Sequence, residues 1–333
     1  MNGRKPWVLL LRILVSVGML LVLFAQVPSF DASELVPEWT AGTIAWLLGA
    51  IALTFGAIAL SAVRWQQVIH ALDMEAPLGR LTSHYFAGQF VSNVLPTTIG
   101  GDVLRVSRLT RDTGDGPGSF ASVVLERLTG WIVLPLITLT GLALNSGLRE
   151  LGTSTAVAAG LAGASLIALA VVLWAGSHSR GLGRFTADHG WHRFAGAVHF
   201  GLDRMRRHRA DTLGVLLAGV TFQLALVMAA LFGARALGID QLGFTAALVF
   251  VPAVLIVQVL PVAISGLGVR EGAFYLFLRP LDVPHEQAIA LGLLLYLLNL
   301  VVSLVGAPAF ALGGRKELDQ ETAEHPEEAL LFP

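Results

Sequence analysis

Charged side chains inside apolar stretches are the first places to look for chemistry. A charge in hydrocarbon is costly and is kept for pairing or for a ligand. Asp102, Arg105, Glu126, Arg127, Arg270 and Glu271 fit that description. Two of these arginines have matching surroundings. The first stretch runs Asn93-Val94-Leu95-Pro96-Thr97-Thr98-Ile99-Gly100-Gly101, followed by Asp102 and Arg105. The second runs Val259-Leu260-Pro261-Val262-Ala263-Ile264-Ser265-Gly266, followed by Gly268, Arg270 and Glu271. Val-Leu-Pro, Ile, Gly and Arg align without a gap, since 105 + 165 = 270. A repeat of this kind outranks any local motif.

These residue types suit a break in a membrane helix. Backbone that leaves the helix in hydrocarbon finds no water for its amides, so it must be packed in protein or line a cavity. Proline ends the incoming half-helix by removing a donor, and glycine permits close approach and unusual dihedrals. The outgoing half-helix then starts near Gly101 or Gly266, with free N–H groups and the positive end of its dipole pointing inward. Arg105 and Arg270 add full charge there. Two such tips would make a site for an anion such as a phosphate headgroup. The plainer reading is that Pro and Gly only kink ordinary helices. For Asp102, Glu126, Arg127 and Glu271, local ion pairing with the arginines stands beside a headgroup role.

The elements that position these residues are membrane helices. Hydrophobic residues make up 55% of the 333 and charged residues 14%, and mean hydropathy is +0.71. A soluble chain of this size needs a more charged exterior. The net charge of -1 gives no sign of a nucleic-acid partner. With no cysteine, the chain has no disulfide, thiolate metal site or Cys nucleophile.

A spanning helix takes about 20 mostly apolar residues, and six segments qualify: 7–27, 44–63, 120–144, 153–176, 213–237 and 289–313. The first reads as an uncleaved signal anchor rather than a cleaved signal peptide. Segments 84–101 and 244–268 are apolar but broken. The expected fold is an all-α polytopic membrane protein with about six full transmembrane helices and two broken or re-entrant elements in an inverted repeat. It forms one integral-membrane domain over 1–313, with an acidic, disordered cytoplasmic tail over 314–333.

Basic residues set the orientation. Arg4 and Lys5 place the N-terminus in the cytoplasm, Arg315 and Lys316 do the same for the C-terminus, and the Arg-rich stretch 177–211 is cytoplasmic. Arg64 and Arg80 read as inner-loop charges. Asp31, Glu34 and Glu38 lie outside, and Arg149, Arg235 and Arg279 run against the rule as single charges. On this scheme segment 80–118 begins and ends inside, and 244–281 begins and ends outside, as an inverted repeat requires.

The stretch from Asn93 through Arg105, the pair Glu126-Arg127, and Gly266-Leu267-Gly268-Val269-Arg270-Glu271-Gly272 together resemble the flippase-like family. That family includes the transmembrane domain of lysylphosphatidylglycerol synthases and stand-alone members. The resemblance covers nearly the whole chain and implies lipid translocation in a bacterial inner membrane. Residues 1–333 hold no stretch expected to form a soluble aminoacyl-transferase domain, so the resemblance is not expected to extend to lipid lysylation.

The expected function is movement of an anionic or glycosylated lipid, without enzymatic activity and without a cofactor or metal. Two alternatives stay open. One is an accessory subunit of a lipid-modifying enzyme. The other is a headgroup transferase using Asp102, Glu126 and Glu271.

Other motifs are weak. No HExxH pattern occurs, and the histidines sit mostly at cytoplasmic ends. Gly114-Asp115-Gly116-Pro117-Gly118 lacks the P-loop Lys and reads as a turn. With no ATPase motif, energy would come from gradients, lipid asymmetry or a partner. Trp7, Trp39, Trp46, Trp65 and Trp191 read as interfacial anchors. The arginines over 204–209 read as a positive-inside signal, with attraction to anionic lipid as a secondary role.

Overall fold

The structure is a computed structural model that describes residues 38–94, 100–178, 190–207, 209–259 and 266–313, together with Gly18. The expected first span, the segments holding Pro96 and Pro261, and the tail 314–333 lie outside the described residues. So do the terminal markers Arg4, Lys5, Arg315 and Lys316, and the external Asp31 and Glu34.

The described chain is helical throughout its ordered elements. In order come α1 (Ala41–Ala71), α2 (Leu78–Val94), α3 (Gly100–Thr113), α4 (Gly116–Leu144), α5 (Thr153–His178), α6 (Gly190–Arg207), α7 (Arg209–Ala236), α8 (Phe244–Gln258), α9 (Val269–Leu278) and α10 (His285–Ser303). Among the described residues α1, α4, α5, α7 and α10 are long and apolar enough to cross a membrane. The chain is a multi-pass membrane protein. The last expected span, 289–313, is interrupted: α10 ends at Ser303, a turn occupies 304–305, and helix resumes over 306–313.

Local signals set the helix starts. Thr40 accepts the Thr43 N–H at 3.1 Å to cap α1, and Asp115 accepts the Gly118 N–H at 2.9 Å to cap α4. Gly114 turns the chain before that cap with φ +72°, and Pro117 fits the first helical turn, where an N–H is not needed. The Gly-rich stretch is therefore a turn running into a helix start.

The 165-residue offset extends to the whole fold. Adding 165 carries α1 onto α7, α2 onto α8, α3 onto α9, and α4 onto α10 with its continuation. Packing follows the same symmetry: α1 lies along α7, α2 packs on α3 as α8 packs on α9, and α4 meets α8 as α10 meets α2.

Glycines show it residue by residue. A Cβ at Gly49 would come within 2.6 Å of the Phe232 ring, and one at Gly214 within 3.1 Å of the Gln67 amide. These contacts are images of each other, since 49 + 165 = 214 and 67 + 165 = 232. Position 49 meets 232 while 67 meets 214, so α1 and α7 run antiparallel. A pseudo-two-fold axis relating two such antiparallel spans lies across them, in the plane of the membrane. Gly141 lies against Val249, at 2.8 Å from a Cβ, and its image Gly306 (141 + 165 = 306) lies against the Phe86 carbonyl, two positions from the image of Val249 (249 − 165 = 84).

The two hairpins are too short to span. At a rise of 1.5 Å per residue, α2 is about 25 Å long and α9 about 15 Å, against a hydrocarbon core of roughly 30 Å. The α2–α3 hairpin closes at Gly88 and Gly101, where a Cβ on Gly101 would collide with the Gly88 carbonyl oxygen. Gly101→Ala should therefore destabilise the protein by about 1–3 kcal/mol through overpacking. Helix propensity alone predicts the opposite sign. Thermal unfolding in detergent, followed by size exclusion, separates the two outcomes.

Apolar packing forms two clusters, one around α1 and α2 and one around α7, α8 and α9. Helix α4 joins them, giving Ala121–Leu128 to the first and Val133–Leu142 to the second. Two of the three arginines that run against the charge rule have local partners. Arg149 Nε donates to the Leu142 carbonyl at 3.0 Å, and Arg235 pairs with Asp240.

Candidate functional site

The site is built where α1, α2, α3 and α4 converge. Its anchor is Glu126, 2% exposed in the middle of α4. Oε1 of Glu126 accepts from Arg64 Nη2 and, at 3.4 Å, from the Tyr85 hydroxyl. Oε2 accepts from Arg105 Nη1 at 3.1 Å. The same Arg105 nitrogen lies 3.7 Å from Asp102 Oδ1, and Asp102 Oδ2 accepts from Arg127 Nε. The order is Arg64–Glu126–Arg105–Asp102–Arg127.

Arg105 sits in the corner of two aromatic rings set edge to face, at 63° to each other with centroids 6.4 Å apart. Its guanidinium carbon lies 4.2 Å from the Trp65 ring centroid and 4.1 Å from that of Tyr85. Trp65 is itself fully buried and donates its indole N–H to Ser122 Oγ at 3.0 Å. Cation–π contact with two rings favours the charged guanidinium at this place while leaving its N–H donors for hydrogen bonding.

The charges do not balance. Three arginines face two carboxylates, a net +1, around a cavity of about 280 Å³ that all five line. Nε and Nη1 of Arg64 and Nε and Nη2 of Arg105 are buried and have no hydrogen-bond partner among the described residues. Buried guanidinium donors without acceptors are expensive, and an anion would supply the acceptors.

The second repeat is built differently. Arg270 donates Nε and Nη2 to Glu271 Oε1 at 3.2 and 2.9 Å, so this pair is neutral. Glu271, with no exposure at all, also accepts the Gly268 N–H through Oε2 at 2.6 Å, and so caps α9. That helix starts at Val269, three residues beyond Gly266, after a turn with φ +74° at Gly266 and +82° at Gly268. Arg270 lines a second cavity of about 150 Å³ with Asn299, Thr54 and Phe274. The two cavities share a wall of Gln89, Phe222, Leu226, Leu255 and Gln258.

Asp102, Arg105, Glu126, Arg127 and Gly101 thus come together in the first cavity, and Arg270 stands in the second. Gly100 opens α3. Asn93 accepts a hydrogen bond from Asn299 at 3.4 Å and lines neither cavity.

Asp102 lies closer to Arg127 than to Arg105. Two expectations change. Arg64 is not a loop charge, because α1 continues past it to Ala71 and carries it, buried, to Glu126. Trp65 is not an interfacial anchor but a buried ring packed against the Arg105 guanidinium. Sequence reasoning stopped α1 at its first charge. The signal it lacked was the run Trp65-Gln66-Gln67-Val68-Ile69, apolar or neutral and without a breaker.

A family model for the lysylphosphatidylglycerol synthase TM region matches residues 9–306. No curated protein matches the chain. With nearly all of the described structure inside that match, the chain belongs to the lysylphosphatidylglycerol synthase TM region family.

Proposed function

We propose that this family member moves an anionic or glycosylated lipid across the cytoplasmic membrane of a bacterium, with its headgroup taken up by the Arg64–Arg105–Arg127 cavity. The observation that carries this reading is the excess positive charge of that cavity, with its unpartnered guanidinium donors. A phosphate is matched by the forked guanidinium edge of Arg105. The inverted repeat supports transport, since two halves of opposite topology can rock about a shared site and expose it to each face in turn. Passage would run from the Arg105 cavity to the Arg270 cavity past Gln89 and Gln258.

A transferase would need a carboxylate free to take a proton. Asp102 and Glu126 are both held by arginines, which favours transport over group transfer. The membrane lipid is the partner required. A lipid-modifying enzyme would be an additional partner if purified protein alone proved inactive.

Reconstitution tests the proposal. Vesicles of phosphatidylcholine holding fluorescent phosphatidylglycerol should lose more than half their signal to a membrane-impermeant reductant when the protein is present. Protein-free vesicles should lose only the outer-leaflet half. Equal loss in both would end the transport reading.

Orientation follows from the same proposal, with both termini inside. A cysteine at Asp240 should react with an impermeant reagent in intact cells, and one at Arg193 only after lysis. The native chain has no cysteine to confuse the result.

A further inference from the structure

Beside the arginine cavity lies an apolar cleft of about 220 Å³ between α4, α5 and α8. Leu161, Ala164, Ser165 and Ala168 form one wall and Ile256 and Val257 the other. Trp131, Leu134 and Val259 line the cleft and the arginine cavity alike, so the two spaces are contiguous.

The cleft opens outward. Ala164 and Ala168 lie on the exposed side of α5, where Ile167 is 68% and Val171 57% exposed. On a spanning helix such residues face lipid tails. Trp131 stands at the junction, an amphipathic ring where apolar space meets polar.

We propose that this cleft holds an acyl chain of the same molecule whose phosphate the arginine cavity takes. The inference rests on the lipid-movement reading and adds to it a route and a substrate class. The substrate is a phosphate-bearing lipid rather than a free phosphate compound, and it enters sideways between α5 and α8. A soluble anion would need no apolar side room opening from its site. Because lipid tails are as apolar as the cleft, filling it brings no net hydrophobic gain. Its role is to guide the tail while the headgroup is held, so the rate of movement depends on it more than affinity does.

Fluorescence quenching tests this. A bimane label on Ala168→Cys, and separately on Leu217→Cys as an exposed control on α7, is placed in phosphatidylcholine vesicles. These vesicles also hold phosphatidylglycerol with a nitroxide on its acyl chain. Quenching at 168 should exceed quenching at 217, and Arg105→Ala should bring it down to the control value. Equal quenching at the two positions, or quenching at 168 that ignores Arg105→Ala, overturns the proposal.

As a second arm, Ala164→Phe/Ala168→Phe fills the cleft. It should slow lipid movement by at least an order of magnitude, a barrier increase of about 1.4 kcal/mol. Movement at the parent rate by the well-folded double variant counts against the cleft and leaves the transport reading standing. Absence of movement in the parent protein counts against transport, and the quenching comparison then decides the cleft alone.

Discussion

Glu126→Gln is expected to cost about 3–5 kcal/mol of stability, the penalty for leaving buried charge uncompensated. Glu126 is the nearest carboxylate to both Arg64 and Arg105. Once it is neutral, Asp102 alone faces three arginines, and the cavity charge rises from +1 to +2. The loss should appear as a lowered unfolding temperature in detergent and early aggregation on size exclusion.

The companion variant separates charge from shape. Arg64→Gln/Glu126→Gln returns the count to two arginines and one carboxylate, again +1. It should therefore recover much of the loss, and the cycle of single and double variants gives the coupling between the two residues. A single variant as stable as the parent, or a double no better than the single, would contradict the network described above.

How far the sequence led can be seen from those same residues. The repeat was legible because Val-Leu-Pro, Gly and Arg recur at one offset, and breaks in membrane helices demand such residues wherever they occur. Its extent was not legible. The contacts of Gly49 with Phe232 and of Gly214 with Gln67 tie α1 to α7 through glycines that align but partners, Phe and Gln, that have no likeness in sequence. Arg64 was read as the end of a span because a charge usually marks one. Its burial depends on Glu126, 62 residues further along, and no local pattern announces a partner so distant. Tyr85 and Trp65 read as ordinary aromatics in sequence, and only the fold sets both rings against the Arg105 guanidinium. Asp102 and Arg105 lie one helical turn apart, the spacing of a local pair. Arg127 arrives from α4 and takes that carboxylate first.

The divergence of the two repeats carries the last expected result. Arg105 sits in an excess of positive charge with donors to spare, whereas Arg270 is matched one to one by Glu271. Arg105→Ala should all but abolish lipid movement, a drop of roughly 1.5 to 3.5 orders of magnitude if the headgroup contact is worth the 2–5 kcal/mol of a buried charged pair. Membrane insertion should be unaffected, since Glu126 and Asp102 keep Arg64 and Arg127 as partners. Arg105→Lys should restore only part of the rate. An ammonium keeps the charge, but it has no planar group to set against an aromatic ring and no fork to grip phosphate.

In the second repeat, Arg270→Gln/Glu271→Gln removes a neutral pair together. Gln at 271 can still accept the Gly268 N–H, so α9 keeps its cap and the protein should fold. If the Arg270 cavity is the second station for the headgroup, this well-folded variant should also be inactive. The same leaflet-selective reduction assay reads all three variants against the parent. Full movement by Arg105→Ala would remove the first cavity from the path, and full movement by the Arg270/Glu271 double variant would end the passage there and leave the first cavity as the whole site.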